Sequence, residues 1–226
     1  MKIKKERPPL KWYPPAEERF NIISHTIGFI LSLIGLAFLV IHACNCGNGV
    51  HILSFSIYGV SLAVVYLAST LYHRATEEEH RWKMKVFDHA AIFVLIAGTY
   101  TPFTLVSLEG GLGWLFFFLA WGFALAGVLL KMFFIGRLMW LSMIMYIGMG
   151  WMAVFIIPPL ADALPEGGVE WIWAGGIAYT LGAVLYSIKR IKFNHAIWHA
   201  LALIGSFCHF VSVYWYVLPT SLSSGS

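Results

Sequence analysis

The sequence predicts an all-α membrane protein: a seven-transmembrane helix bundle with its N-terminus in the cytoplasm and its C-terminus outside. Three observations lead there. The 226 residues are 59% hydrophobic and only 12% charged, whereas soluble domains carry about a quarter charged residues. The apolar residues gather into runs of the length that crosses a hydrocarbon core of roughly 30 Å. Counted through those runs, all fifteen Lys and Arg residues fall on one side of the membrane.

The chain opens with a polar arm, residues 1–19. The stretch MKIKKERPPLKWYPPAEERF contains Lys, Arg, Glu and four prolines, so it is neither a span nor a secretory signal, which needs an early apolar region. Seven apolar runs follow, at about 20–43, 51–73, 87–108, 113–131, 138–160, 171–189 and 194–217. They make up a single domain over 20–217, leaving 218–226 as a short external tail ending in SLSSGS. The arm holds Lys2, Lys4, Lys5, Arg7, Lys11 and Arg19. The next cytoplasmic segments hold Arg74, Arg81, Lys83 and Lys85, then Lys131 and Arg137, then Lys189, Arg190 and Lys192. The outer loops are assigned Glu109, Asp162, Glu166 and Glu170 and no basic residue. A miscounted span would mix the charges of every later loop, so the separation supports both count and orientation.

Tyr214, Trp215 and Tyr216 suit an outer aromatic belt, and Trp12 and Tyr13 an inner one. The pairs Gly28 and Ser32, and Ala178 and Gly182, are spaced for close helix contacts. The three cysteines, Cys44, Cys46 and Cys208, are too few for a disulfide framework or a four-thiolate site. The net charge of +4 reflects short loops between apolar runs, so nucleic acid is not an expected partner. The localisation read from this pattern is a cell membrane, crossed several times.

Polar side chains at membrane depth cost about 2.5–3.5 kcal/mol each on insertion scales and mark function by default. Five of them converge. Ser69 and His73 end the second run, Asp88 opens the third, and His195 and His199 open the seventh. His73 closes an inward-running helix while the other three begin outward-running ones, so all reach the same depth. His195 and His199 lie four apart, which puts both rings on one helix face at a separation suited to one ion. Three imidazoles with one open position make up a catalytic zinc site, whereas a fourth protein ligand would close it. Asp88 decides between the two: as acceptor for a bound water it makes the site reactive, and as a ligand it makes it structural. Ser69 lies one turn deeper than His73. His209 sits about 15 Å of helix rise beyond His199, too far to share the ion, and suits an inter-helix contact. His25 reads as a hydrogen bonder within the bundle, beside the ligands; His89 points about 100° away from Asp88; His42, His51 and His80 read as boundary or loop residues.

The run STLYH at Ser69–His73, the Asp of FDHAAIFVLIAGTYTPF at Asp88, and HAIWH at His195–His199 resemble the signature of the hemolysin III branch of the progestin and adipoQ receptor family. The opening EERFNIISHTIGFILS is similar to the first span of its bacterial members, and the likeness runs over about 17–217. The resemblance implies seven helices with an inside N-terminus, Zn2+ held by His73, His195 and His199, and Asp88 acting through the metal's water. The wider superfamily includes alkaline ceramidases, which hydrolyse lipid amides. The family name reflects a haemolysis phenotype, and a role in membrane homeostasis is also attached to it.

Three functions follow as expectations. The first is a zinc-dependent hydrolase of a lipid amide or ester, with Asp88 as base or orienter and Ser69 as donor to the developing oxyanion. The second is a sensor with structural zinc and a lipid ligand; the third is a cytolysin. In each the partner is a membrane lipid. A retinal protein is excluded because every lysine lies in the arm or at a cytoplasmic boundary, and a pump because Asp88 is the only acid near a span interior. An inside N-terminus is opposite to that of G-protein-coupled receptors.

Overall fold

The computed structural model describes residues 10–108, 110–134 and 139–218. Among these there is no β-strand. The elements are α1 (Pro15–Cys46), α2 (Gly49–Arg74), α3 (Glu78–Pro102), α4 (Gly110–Phe134), α5 (Met139–Trp151), α6 (Ile157–Ala163), α7 (Gly168–Ser187) and α8 (Asn194–Ser212). The expectations placed on Lys2, Lys4, Lys5, Arg7, Glu109, Arg137 and the tail beyond Leu218 lie outside the described residues.

Local sequence explains where the helices begin and bend. Pro15 occupies the first position of α1, where no N–H is required, and Glu17 and Glu18 in the same turn complement the positive helix end. The Asn48 side chain accepts from the main chain of Val50 at 2.9 Å and His51 at 3.3 Å, and the His51 ring returns to the Asn48 N–H at 3.3 Å. That reciprocal cap starts α2. Pro102 does not stop α3; the backbone widens into a π-helical turn over Phe103–Ser107. Between α5 and α6 the axis bends by 48°, where Pro158 and Pro159 remove two consecutive N–H donors.

Five described helices, α1, α2, α3, α4 and α8 with their extensions, are long and apolar enough to cross a membrane, and the bent pair α5–α6 brings the number to six. The sixth apolar run, 171–189, falls on α7, whose glycines, aromatics and Glu170 dilute its apolar character. Short connections make successive helices antiparallel neighbours, and α8 returns to pack on α1. The bundle thus has an arm end, where α1, α3 and α8 start, and a far end. Its outside is apolar: Phe155 is 73% exposed, Phe133 70% and Phe118 64%. A surface of such side chains faces lipid.

The inside is polar by comparison. Tyr66 and Tyr179 both meet the Ser206 hydroxyl at 2.6 Å, tying α2 and α7 to α8. The Tyr100 hydroxyl donates to the Met149 carbonyl at 2.7 Å, and Tyr146 to that of His89 at 2.7 Å, tying α3 to α5. Such bonds hold membrane helices where burial of apolar surface supplies no preference for protein over lipid. Gly28 and Gly182 allow the close contacts their spacing suggests: a Cβ on Gly28 would stand 2.8 Å from both Leu203 and Tyr66, and one on Gly182 2.9 Å from Trp198.

Candidate metal centre

His73 lies in the last turn of α2, which ends at Arg74. His195 and His199 occupy the first two turns of α8, which starts abruptly because Phe193 takes the left-handed conformation, φ 57°. The cost of that conformation for a bulky residue is met by the turn it closes: the Asn194 amide donates to the Tyr186 carbonyl at 2.8 Å. Because α1 packs on both α2 and α8, the ends of those two helices meet.

The structure brings His73, His195 and His199 together, each offering a nitrogen, with all three atoms within 4.8 Å of one another. The Nε2 of His195 stands 3.1 Å from that of His73 and 3.1 Å from that of His199. His73 and His199 are 3% and 2% exposed, His195 9%. Three ligands on a tetrahedral ion with bonds of 2.0–2.1 Å stand about 3.3 Å apart, so the two 3.1 Å separations are of the size that ligands of one metal ion take. A neutral imidazole has a single N–H, and three nitrogens aimed at one point cannot all satisfy one another with it.

Aromatic rings pack around the group. His25 stacks on His199 with centroids 3.6 Å apart, and Tyr13 stacks on His195 at 4.5 Å. Burial and the neighbouring Tyr186 push the Tyr13 phenol well above its usual range, so it remains neutral. This corrects the aromatic-belt expectation for Tyr13: it covers a histidine. Trp12, although half exposed, lies over the Arg81 guanidinium, 4.2 Å from ring centroid to carbon.

Asp88 sits at the same end with its side chain 14% exposed, its Oδ2 3.2 Å from the Nδ1 of His89. It lies within electrostatic reach of His73 and His25 and outside the three-nitrogen group. His89, although rotated away on the helix, reaches back to Asp88 and meets the Lys85 carbonyl at 2.9 Å. Ser69 is 2% exposed, one turn deeper than His73. Asn21 is fully buried and His25 6% exposed, and the polar atoms of both side chains have no protein partner among the described residues. Lys131 is also buried, over the ring of Tyr146 and within electrostatic reach of Asp88.

The distant and boundary histidines go elsewhere. His209 meets the Ile172 carbonyl at 3.2 Å, joining α8 to α7, and His42 meets that of Leu218. Two participants escaped the sequence reading. Glu18 places Oε2 2.9 Å from the Nδ1 of His73, and its Oε1 accepts from Arg81 at 2.5 Å. In sequence Glu18 reads as one charge of the polar arm and Arg81 as an orientation signal. No spacing rule links positions 18, 73 and 81; only the burial of an acid in the first turn of α1 could have hinted at it.

Fold and site together define a multi-pass membrane protein carrying a buried histidine group able to hold a metal ion. The family profile described as "Haemolysin-III related" matches residues 14–210. The "Hemolysin-3 homolog" of Bacillus subtilis (strain 168) is 44% identical over 208 residues, covering 92% of this chain and 98% of the relative. "Hemolysin-3" of Bacillus cereus is 43% identical over 205 residues, covering 91% and 94%. The chain belongs to the haemolysin-III-related family, within the progestin and adipoQ receptor group, as the three motifs anticipate. It is a protein of the bacterial cell membrane.

Proposed function

We propose that the protein is a zinc-dependent hydrolase of a membrane-lipid amide or ester, with seven spans, the arm end in the cytoplasm and the C-terminus outside. The observation that carries the reading is the convergence of three imidazole nitrogens, 3.1 Å apart in successive pairs, at one end of a lipid-facing bundle. His73, His195 and His199 would hold the ion, and three such ligands leave a fourth position open. Zinc, when bound, supplies Lewis acidity that brings the pKa of water toward 7 and polarises a carbonyl.

The chain's own groups do the rest. Asp88 accepts the proton that the attacking water loses, and its depth matches the headgroup region, where lipid amide and ester bonds meet water. Ser69 donates its hydroxyl to the oxygen on which charge develops. Asn21 and His25, whose side-chain polar atoms have no hydrogen-bond partner among the described residues, give substrate or water polar contacts beside His199.

Two experiments test the proposal. Reporters fused after Lys131 should read cytoplasmic and reporters in ADALPEGG external; a reversed pattern removes the orientation. Asp88→Asn should keep zinc yet abolish cleavage of a ceramide-like amide, because Asn cannot take the proton, and Ser69→Ala should slow cleavage about 10–1000-fold. The readout is fatty-acid release from a lipid panel by mass spectrometry. One feature favours a second reading, a sensor with structural zinc: the three histidines link α2 to α8, helices distant in sequence. Zinc-loaded protein that releases no product from any lipid would favour it. The cytolysin reading rests on the names of the relatives alone.

A further inference from the structure

Glu18 and Arg81 have no part in the reaction outlined above, yet they are built into its site. Arg81 is 1% exposed in the first turn of α3. Its guanidinium donates to Glu18, to the Ala75 carbonyl at 3.1 Å and to the Lys11 carbonyl at 3.4 Å. It lies between the rings of Trp12 and Tyr72, 4.2 and 4.8 Å from their centroids. A cation so far from water demands such company. The carboxylate it holds turns its other oxygen to His73.

We infer that Glu18 is a positioning residue for the metal, fixing the tautomer and direction of His73, and that Arg81 fixes Glu18. The inference rests on the metal reading of His73, His195 and His199. An ionised carboxylate only accepts hydrogen bonds. The proton of a neutral His73 therefore sits on Nδ1, and the lone pair of Nε2 faces His195 and His199. The negative charge behind the ring also makes Nε2 a stronger donor to a cation. Neither His195 nor His199 meets a carboxylate among the described residues, so His73 is the ligand whose orientation is set from outside. Arg81 supplies the charge that keeps Glu18 ionised and aimed. Through its bond to Lys11 and the cover of Trp12, it also ties the arm to the ligand.

The test uses the purified full-length protein, with zinc affinity measured by competition against a chromogenic chelator and the cobalt-substituted visible spectrum recorded alongside. E18A should weaken zinc about 10–100-fold, the usual effect of losing an outer partner. E18Q keeps an acceptor oxygen without the charge and should fall between E18A and wild type, and both should shift the cobalt bands. E17Q changes a buried carboxylate one residue away that makes no hydrogen bond to the three imidazoles, and should leave affinity and spectrum unchanged. A merely structural Glu18 would lower the metal-free melting temperature and move neither readout. If E18A does not fold, the isosteric E18Q decides. Wild-type affinity and spectrum in E18Q, or in a folded E18A, overturn the inference; failure of the wild type itself to bind zinc or cobalt overturns the metal reading beneath it.

Discussion

At the far end of the bundle His42 donates to the carbonyl of Leu218, His209 to that of Ile172 at 3.2 Å, and His51 closes the cap of α2 with Asn48. At the arm end His73, His195 and His199 turn their Nε2 atoms on one another. Burial does not separate the two groups, since His42 is 8% exposed and His195 9%. The partner does. A carbonyl answers one N–H and completes the imidazole's demand, so a far-end histidine is a helix-to-helix fastening. Nitrogens aimed at a common point leave lone pairs that a cation satisfies. In a membrane protein the polar residue to pursue is the one whose neighbours are of its own kind.

An alanine series through the histidines would break or sharpen that contrast. The largest effect is expected at the arm end: His73→Ala, His195→Ala or His199→Ala should weaken zinc by more than about 100-fold, beyond the range of an outer partner. Metal analysis of the purified variants reads it. The middle effect belongs to His209→Ala, which should keep its zinc and lose about 0.5–1.5 kcal/mol of stability, because the bond from the ring to the Ile172 carbonyl that joins α8 to α7 is lost. Denaturant unfolding in detergent reads that loss. His51→Ala should cost least, about 0.5–1 kcal/mol, since Asn48 still caps α2 without it. Loss of zinc in His209→Ala would erase the distinction between the two ends.

Much of this was legible beforehand, for physical reasons. Apolar runs announce themselves by composition, and each of the seven falls on one helix or on the bent pair α5–α6, with five or six of the described helices long and apolar enough to cross a bilayer. The four-residue spacing of His195 and His199 fixes their shared face, and the antiparallel order of the helices brings His73 to the same depth. Gly28 and Gly182 lie at the close contacts their spacing suggests. What escaped was non-local and depended on burial. Glu18 reads as one of several arm charges until α1 is seen to start at Pro15 and carry it beneath Arg81. Tyr13 reads as a lipid-facing aromatic until the arm is seen to fold back over His195. The turn that starts α8 depends on a left-handed Phe193, a conformation nothing in a bulky aromatic residue advertises.

The central claim is that three histidines from α2 and α8 bind one zinc and leave a position open. X-ray absorption at the zinc edge of the purified protein tests it most directly. The account predicts about one zinc per chain, with three imidazole nitrogens and one further light atom at about 2.0–2.1 Å. Protein that holds no zinc when offered it, or a shell containing sulfur or four imidazoles, would contradict it.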